Sequence, residues 1–254
     1  MNSASAGRGD LDPTLDGPTV ARLQNIPTAV IASLLLARGY RSISTSSLPP
    51  LATGRRMVGE AVTLRCAPAR EDVVAASVLT SPDYPQRAAI ESCTRHQVLV
   101  VEGRGVTSAG IGGEVYLTRL RQRGASGCVV DGSVRDAAAL GRLGLPVHAR
   151  GTSATPHHAR HVAVAWNVPV GIDGVLVLPG DVVVGDEDGI VVIPRSELHA
   201  VLESAASTME LESFAVARLG SGEELDGLFP LSSERLQEFQ TWRDTGTSSA
   251  KETT

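Results

Sequence analysis

Two adjacent side chains, Arg135 and Asp136, have the types needed to hold an anionic substrate and a divalent cation side by side. An arginine fork grips a carboxylate through two parallel hydrogen bonds, and an aspartate offers a hard oxygen ligand. They sit in Gly124 to Gly151, which reads as a βαβ-like unit. Its first strand is Gly127 to Val130, its turn Asp131-Gly132, its helix opens at Ser133, and its second strand follows Leu145-Pro146. Val134, Ala137, Ala138 and Leu140 fit one face of that helix. Arg135 and Asp136 then fall in the first helical turn, beside unpaired N–H groups and the positive end of the helix dipole. The same letters also fit a capping box, with Ser133 as N-cap and Asp136 at the third position returning a bond to the Ser133 N–H.

A second strand-to-turn unit lies upstream. Val98 to Val101 is apolar, a glycine-rich loop spans Gly103 to Gly113, and Val115 to Arg123 reads as a helix. Two such turns on neighbouring parallel strands face each other at the carboxyl edge of a sheet, where open α/β sheets bind ligands. The loop fails as a dinucleotide fingerprint, because Val115 takes the sixth position counted from Gly110, and as a phosphate loop for want of a lysine. What stays open is a nest of backbone N–H groups for a carboxylate or enolate oxygen, or a plain helix-entry loop.

Several ordered blocks carry a resemblance: GIGGEVYLTRLRQRGASGCVVDGSVRD, LGLPVHARGTS, NVPVGIDGVLVLPGDVVVGDEDGIVVIPRSE and ESFAVARLGSGEELDGLFP. From about Ile26 to Pro230 the chain resembles the family that contains 4-hydroxy-4-methyl-2-oxoglutarate/4-carboxy-4-hydroxy-2-oxoadipate aldolases and the regulator of ribonuclease activity A. The resemblance implies an α/β domain of the swivelling β/β/α type with flanking helices and an extended C-terminal helix, assembled as a homotrimer or hexamer. It implies that Arg135 grips the pyruvyl carboxylate and that Asp136 ligates Mg²⁺, Mn²⁺ or another divalent metal. Gly113, Glu114 and Val115 stand where related aldolases contact pyruvate through backbone N–H groups and hold a water with an acid; glutamate here replaces the commoner aspartate. Glu212, or its neighbour Glu210, matches a glutamate that reaches an adjoining subunit's site. The implied activities are class II cleavage of 4-hydroxy-2-oxo acids to pyruvate and oxaloacetate decarboxylation. The regulator branch implies instead a non-catalytic protein that binds an endoribonuclease. Related chains carry a Ser-Asp pair where Ala32-Ser33 stands here.

Composition narrows the chemistry. The only lysine among 254 residues is Lys251, so no amine is placed to form a Schiff base in a dry pocket, and carbon–carbon cleavage beside a keto group calls for a metal as electron sink. The net charge of −5 argues against nucleic acid as a partner. No run of 18 apolar residues and no signal-peptide core is found, so a cytoplasmic protein without membrane contact is expected. Cys66, Cys93 and Cys128 form no CxxC pair and read as buried thiols.

Along the chain, residues 1–18 read as a flexible arm, 19–230 as the aldolase-like domain, and 231–254 as a C-terminal helix and disordered tail. Helices are expected from Ile26 to Gly39, Glu71 to Thr80, Gln86 to Ser92, Ser196 to Leu219 and Ser232 to Arg243, and a strand from Met57 to Ala67. Asn167 to Pro194 carries the turn signals of successive hairpins. His157, His158 and His161 read as a solvated loop or interface feature, and Asp186-Glu187-Asp188 as a turn.

Overall fold

The sheet is built around one long strand. In the computed structural model, which describes residues 15–72 and 79–249, a minor strand β1 (Ser44–Thr45) precedes the 12-residue β2 (Met57–Pro68). Its first half pairs antiparallel with β9 (Val182–Asp186), its middle runs parallel to β3 (Gln97–Gly110), and its far half pairs antiparallel with β6 (His161–Trp166). Beyond β3 come β4 (Gly127–Val134) and β5 (Val147–Thr152), both parallel, and beyond β9 come β10 (Gly189–Ile193) and β1.

Alternation along these strands fixes which layer each residue joins. Leu64, Leu99, Val101, Cys128 and Val130 meet Ile90, Leu117, Leu120 and Leu140 from α3 (Pro85–Ser92), α4 (Glu114–Gln122) and α5 (Ala137–Leu143). The intervening Val98, Val100 and Val129 face Val170, Ile172, Val175 and Val177 of the hairpin β7 (Val170–Ile172) and β8 (Val175–Val177). Helices thus cover one face and a β-hairpin the other, the β/β/α layering expected. Burial on both faces explains why these strands read as continuous apolar runs. The three cysteines are buried free thiols, and burial pushes Cys66 and Cys93 up to about 12.

Two early helices brace the sheet at β2, β9 and β10. Residues 15–18 are not part of a loose arm: Leu15 is buried, Asp16 caps Thr19 N at 2.8 Å, and α1 (Gly17–Gln24) follows with proline in its first turn. A polar composition hid a helix start whose signals, Asp and then Pro, are both present. Residues 1–14 lie outside the described residues, as do 73–78 within the helix expected from Glu71 to Thr80. In α2 (Thr28–Ala37), Thr28 donates through both N and Oγ1 to Asp186, which also takes Arg56 Nη1 at 2.7 Å. Asp186 therefore does more than form a turn.

The chain divides into two compact units, one ending at His199 and one beginning at Ala200. The long helix α6 (Leu198–Gly220) is close to the expected span, while α7 (Leu236–Ser249) runs past Arg243 into the stretch expected to be disordered. In the second unit Phe214 meets Phe239 and Trp242 edge-on at 5.6 and 5.5 Å, and Arg218 lies 5.3 Å over the Phe214 ring. Arg218 and Arg235 alternate with Glu223 and Glu238 in a ring of ion pairs beside it. No single helix among the described residues is long and apolar enough to cross a membrane.

The aromatic cluster, rather than the half-exposed ion pairs, holds the second unit, because such pairs contribute only ~0–1 kcal/mol each. Phe214→Ala is expected to cost about 3–5 kcal/mol. Hydrogen exchange should then speed up across residues 211–242 while amides of β2 to β4 keep their protection; unchanged exchange in 211–242 would refute it.

Candidate active site

The carboxyl ends of β3 and β4 are laced together by backbone. Ile111 N donates to Ser133 O at 2.8 Å, Arg135 N to Gly112 O at 2.7 Å, and Ser133 Oγ to Thr107 O at 2.9 Å. This lacing decides where β4 stops. Asp131-Gly132 is not a turn and Ser133 does not open a helix: the strand continues to Val134, paired to Val106 and Gly110 on one side and to Gly151 and Thr152 on the other. With ladders on both flanks, the backbone of Ser133 has no freedom to enter a helix, and the capping box does not form. The glycine-rich stretch is likewise mostly strand, since β3 runs on to Gly110 with bulges around Arg104 and Gly105, both at positive φ.

Asp136 makes the turn instead. It is the N-cap of α5 in the left-handed region, φ 59°, and its side chain caps nothing in its own helix. Its Oδ2 accepts the Glu114 N–H at 3.0 Å, at the first residue of α4, so it caps the neighbouring helix across the gap between strands. The N-cap of α4 is Gly113, which has no side chain to serve. A Cβ there would collide with Asp136 Oδ2 and lie 3.4 Å from Arg135 Cβ, so glycine is what lets the carboxylate approach. A Cβ at Gly110 would strike the Arg135 side chain and lie 2.8 Å from Val134 C.

The structure thus brings together five residues singled out in the sequence: Gly113, Glu114 and Val115 at the start of α4, and Arg135 and Asp136 at the end of β4. Arg135 is half-buried, Asp136 and Glu114 are exposed, and Val115 stands out at 81% exposed, a large apolar side chain beside the corner. Glu212 and Glu210 lie on α6 in the other compact unit, both half-exposed. Glu212, Val216 and Leu219 fall at i, i+4 and i+7, one stripe of that helix, and Val216 and Leu219 are exposed.

Could the corner hold a divalent ion? Its side-chain donors are carboxylate oxygens, which suit Mg²⁺ or Mn²⁺ better than a thiophilic metal. Among the described residues no cluster of three or more His, Cys, Asp and Glu forms a cage. The donor set fits an ion that takes one carboxylate from protein and its other ligands from water and substrate, the habit of Mg²⁺.

Several polar residues escaped the sequence reading. Arg150 bridges Asp131 and Asp173, each at 2.6 Å, beneath the β3 bulge. Hydrogen bonds from Thr45 and then Arg150 hold Asp173 down to about 2. Gln86 is buried and donates to Ile111 O, fixing the loop from behind. The histidines are not a solvated group either. His161 is buried on β6, 3.4 Å from Arg104 Nη2, and His157 is half-buried in a 3₁₀ turn; only His158 is exposed. A histidine within an alternating strand was the available signal for His161.

A family model described as "RraA-like: Aldolase/RraA" matches residues 28–192. The chain belongs to the RraA-like family. A Halalkalibacterium halodurans relative named "Putative 4-hydroxy-4-methyl-2-oxoglutarate aldolase" is 31% identical over 186 residues, 73% of this chain and 81% of the relative. Streptomyces coelicolor RraAS2, described as an unusual member of the RNase ES inhibitor RraA protein family, is 32% identical with a TM-score of 0.72, over 81% of this chain and 98% of that one. An uncharacterised Pseudomonas syringae protein, 22% identical, shares the fold at a TM-score of 0.72 over 85% and 99% of the two chains.

Burial sets one property of this RraA-like chain that acid titration can read. It pushes His157 and His161 down to about 4, with neighbouring His158 and His161 adding to the effect at His157 and Arg104 at His161. Each binds a proton less readily folded than unfolded, so its contribution is complete above about pH 6.5 and is lost as pH falls toward about 4. The thermal midpoint should fall over that interval, and less steeply in His161→Gln; an identical slope in the variant would overturn the attribution.

Proposed function

We propose that this chain is a divalent-metal-dependent lyase that cleaves 4-hydroxy-2-oxo acids, such as 4-hydroxy-4-methyl-2-oxoglutarate, to pyruvate and also decarboxylates oxaloacetate. The observation that carries the reading is the reach of the Asp136 carboxylate across to the N-terminus of α4, one residue from Arg135. That contact joins a carboxylate ligand, a guanidinium and a helix N-terminus at one open corner. The 31% identical relative named for this aldolase supports the same reading.

Arg135 would take the C1 carboxylate of the 2-oxo acid with its planar fork, a geometry lysine does not reproduce. Asp136 would hold Mg²⁺ or Mn²⁺, which when bound draws electron density from the C2 carbonyl and stabilises the charge left on the pyruvyl fragment. N–H groups at the Gly113–Val115 turn would face that charge, where preorganised donors are worth most. In retro-aldol cleavage the C4 hydroxyl loses its proton, the C3–C4 pair moves onto the pyruvyl fragment, and C4 leaves as a carbonyl. Glu114 would hold the water that accepts that proton. Glu212 of a neighbouring subunit in a trimer or hexamer would complete the same task, and the exposed Val216 and Leu219 on its stripe suit such a docked face. Decarboxylation of oxaloacetate leaves the same fragment without needing the hydroxyl base.

A second reading is favoured by the 32% identity to RraAS2. A protein that binds and restrains an endoribonuclease would use the surface and need no chemistry at the corner. Binding of this chain to a purified RNase E-type enzyme, scored beside the pyruvate assay, separates the two.

The lyase reading is tested with purified protein, oxaloacetate or a 4-hydroxy-2-oxo diacid, and Mg²⁺ or Mn²⁺. Pyruvate should appear, stop with EDTA, and resume on adding metal. Arg135→Ala should lower kcat/KM about a hundredfold or more, with no rescue by Arg135→Lys, and Asp136→Asn should abolish the response to metal. Full activity in both variants would dismiss the assignment.

A further inference from the structure

The loop after β5 returns past the corner before β6 begins. Gly110 N donates to Thr155 O at 2.9 Å, and Gly110 also bridges to Pro156. The same glycine lies so close to Arg135 that a Cβ would strike its stem. Gly110 therefore sits between Arg135 and the segment that ends at His157. Two nitrogens at this place are buried without a hydrogen-bond partner: Arg135 Nε and His157 Nε2. They are complementary, because the guanidinium Nε always carries a hydrogen and an imidazole nitrogen without one is an acceptor. The other groups facing the ring are Tyr84, centroids 6.4 Å apart, and His158, at 5.6 Å. Burial first, and then the neighbouring histidines and Arg135, keep the ring neutral, which leaves a lone pair available at neutral pH.

We propose that His157 is a positioning residue for Arg135: its Nε2 accepts from a single bridging water that in turn accepts from the Arg135 Nε–H, and this aims the two Nη groups at the substrate carboxylate. The functional consequence rests on the lyase reading; the pairing itself does not. Arginine holds a carboxylate in ground and transition state alike, so loosening the fork acts on KM rather than kcat.

Two variants and two readouts test this. His157→Leu removes the acceptor, and His157→Gln supplies another at its amide oxygen. With oxaloacetate and Mg²⁺, His157→Leu should raise KM about tenfold with kcat within about threefold, while His157→Gln stays within about threefold in both. In ¹⁵N-labelled protein, the Arg135 Nε–H resonance, assigned by its loss in Arg135→Lys, should exchange slowly in the parent and His157→Gln and rapidly in His157→Leu. Equal KM values in all three proteins, or equal impairment of both variants, would overturn the proposal. So would an Nε–H that exchanges as fast in the parent as in His157→Leu. A protected resonance in a parent that forms no pyruvate would support the pairing and sink the lyase reading instead.

Discussion

The corner depends on one side-chain hydrogen bond that extends the backbone lacing between two strand-to-helix turns, from Glu114 N to Asp136 Oδ2. It satisfies an N–H at the start of α4 that no intrahelical carbonyl can reach, and it places negative charge at the positive end of that helix. The cost is local. Asp136 must adopt the left-handed region, which disfavours non-glycine residues by about 1–2 kcal/mol, although aspartate tolerates it better than most. A charge-assisted bond of about 1.5–3 kcal/mol offsets that strain. The contact also demands a residue without Cβ at 113 and close approach at 110, so the two glycines, the aspartate and the helix start form one unit rather than four independent features.

How far the sequence announced this arrangement differs from part to part. The strands of the central sheet were readable because burial on both faces demands unbroken apolar runs, as in Val98 to Val101 and Val182 to Val184. The hairpins after Asn167 were readable from Gly and Asp at their turns. Arg135 and Asp136 were readable as a pair of chemical types, but their geometry was not. Ser133-Val134-Arg135-Asp136 has the local pattern of a capping box, and only the ladders with β3 and β5 keep Ser133 extended. A local rule lost there to tertiary pairing, which no window of four residues contains.

The same limit explains the missed polar residues. Arg150, Asp131 and Asp173 are far apart in sequence, and each alone passes for a strand end or a turn. Their meeting is a product of layering: the β7–β8 hairpin lies over β2 and β3, and the aspartate at its turn, at positive φ, reaches the strand arginine. Gln86 and His157 belong to the same category. Both come from segments that touch the Gly110–Gly112 backbone from outside the two turns that define the corner.

The division between buried frame and exposed working groups bears on how one fold serves a lyase and a ribonuclease regulator. All eight residues of β4 are buried, and its register is held on both sides, so changes there act on the fold. Asp136, Glu114 and Val115 are exposed at the end of that frame, and Arg135 is half in it. Exposed positions away from caps and buried networks tolerate substitution within about 0.5 kcal/mol. Chemistry at the corner can therefore be gained, retuned or lost with little effect on stability, provided the glycines and the Asp136 cap remain. Arg135 stands at the border: its stem packs against Gly110, and under the lyase proposal its guanidinium alone would meet the substrate. An arginine at this position is thus compatible with either function, and under the lyase proposal the groups that would distinguish an enzyme are the carboxylates at 114 and 212.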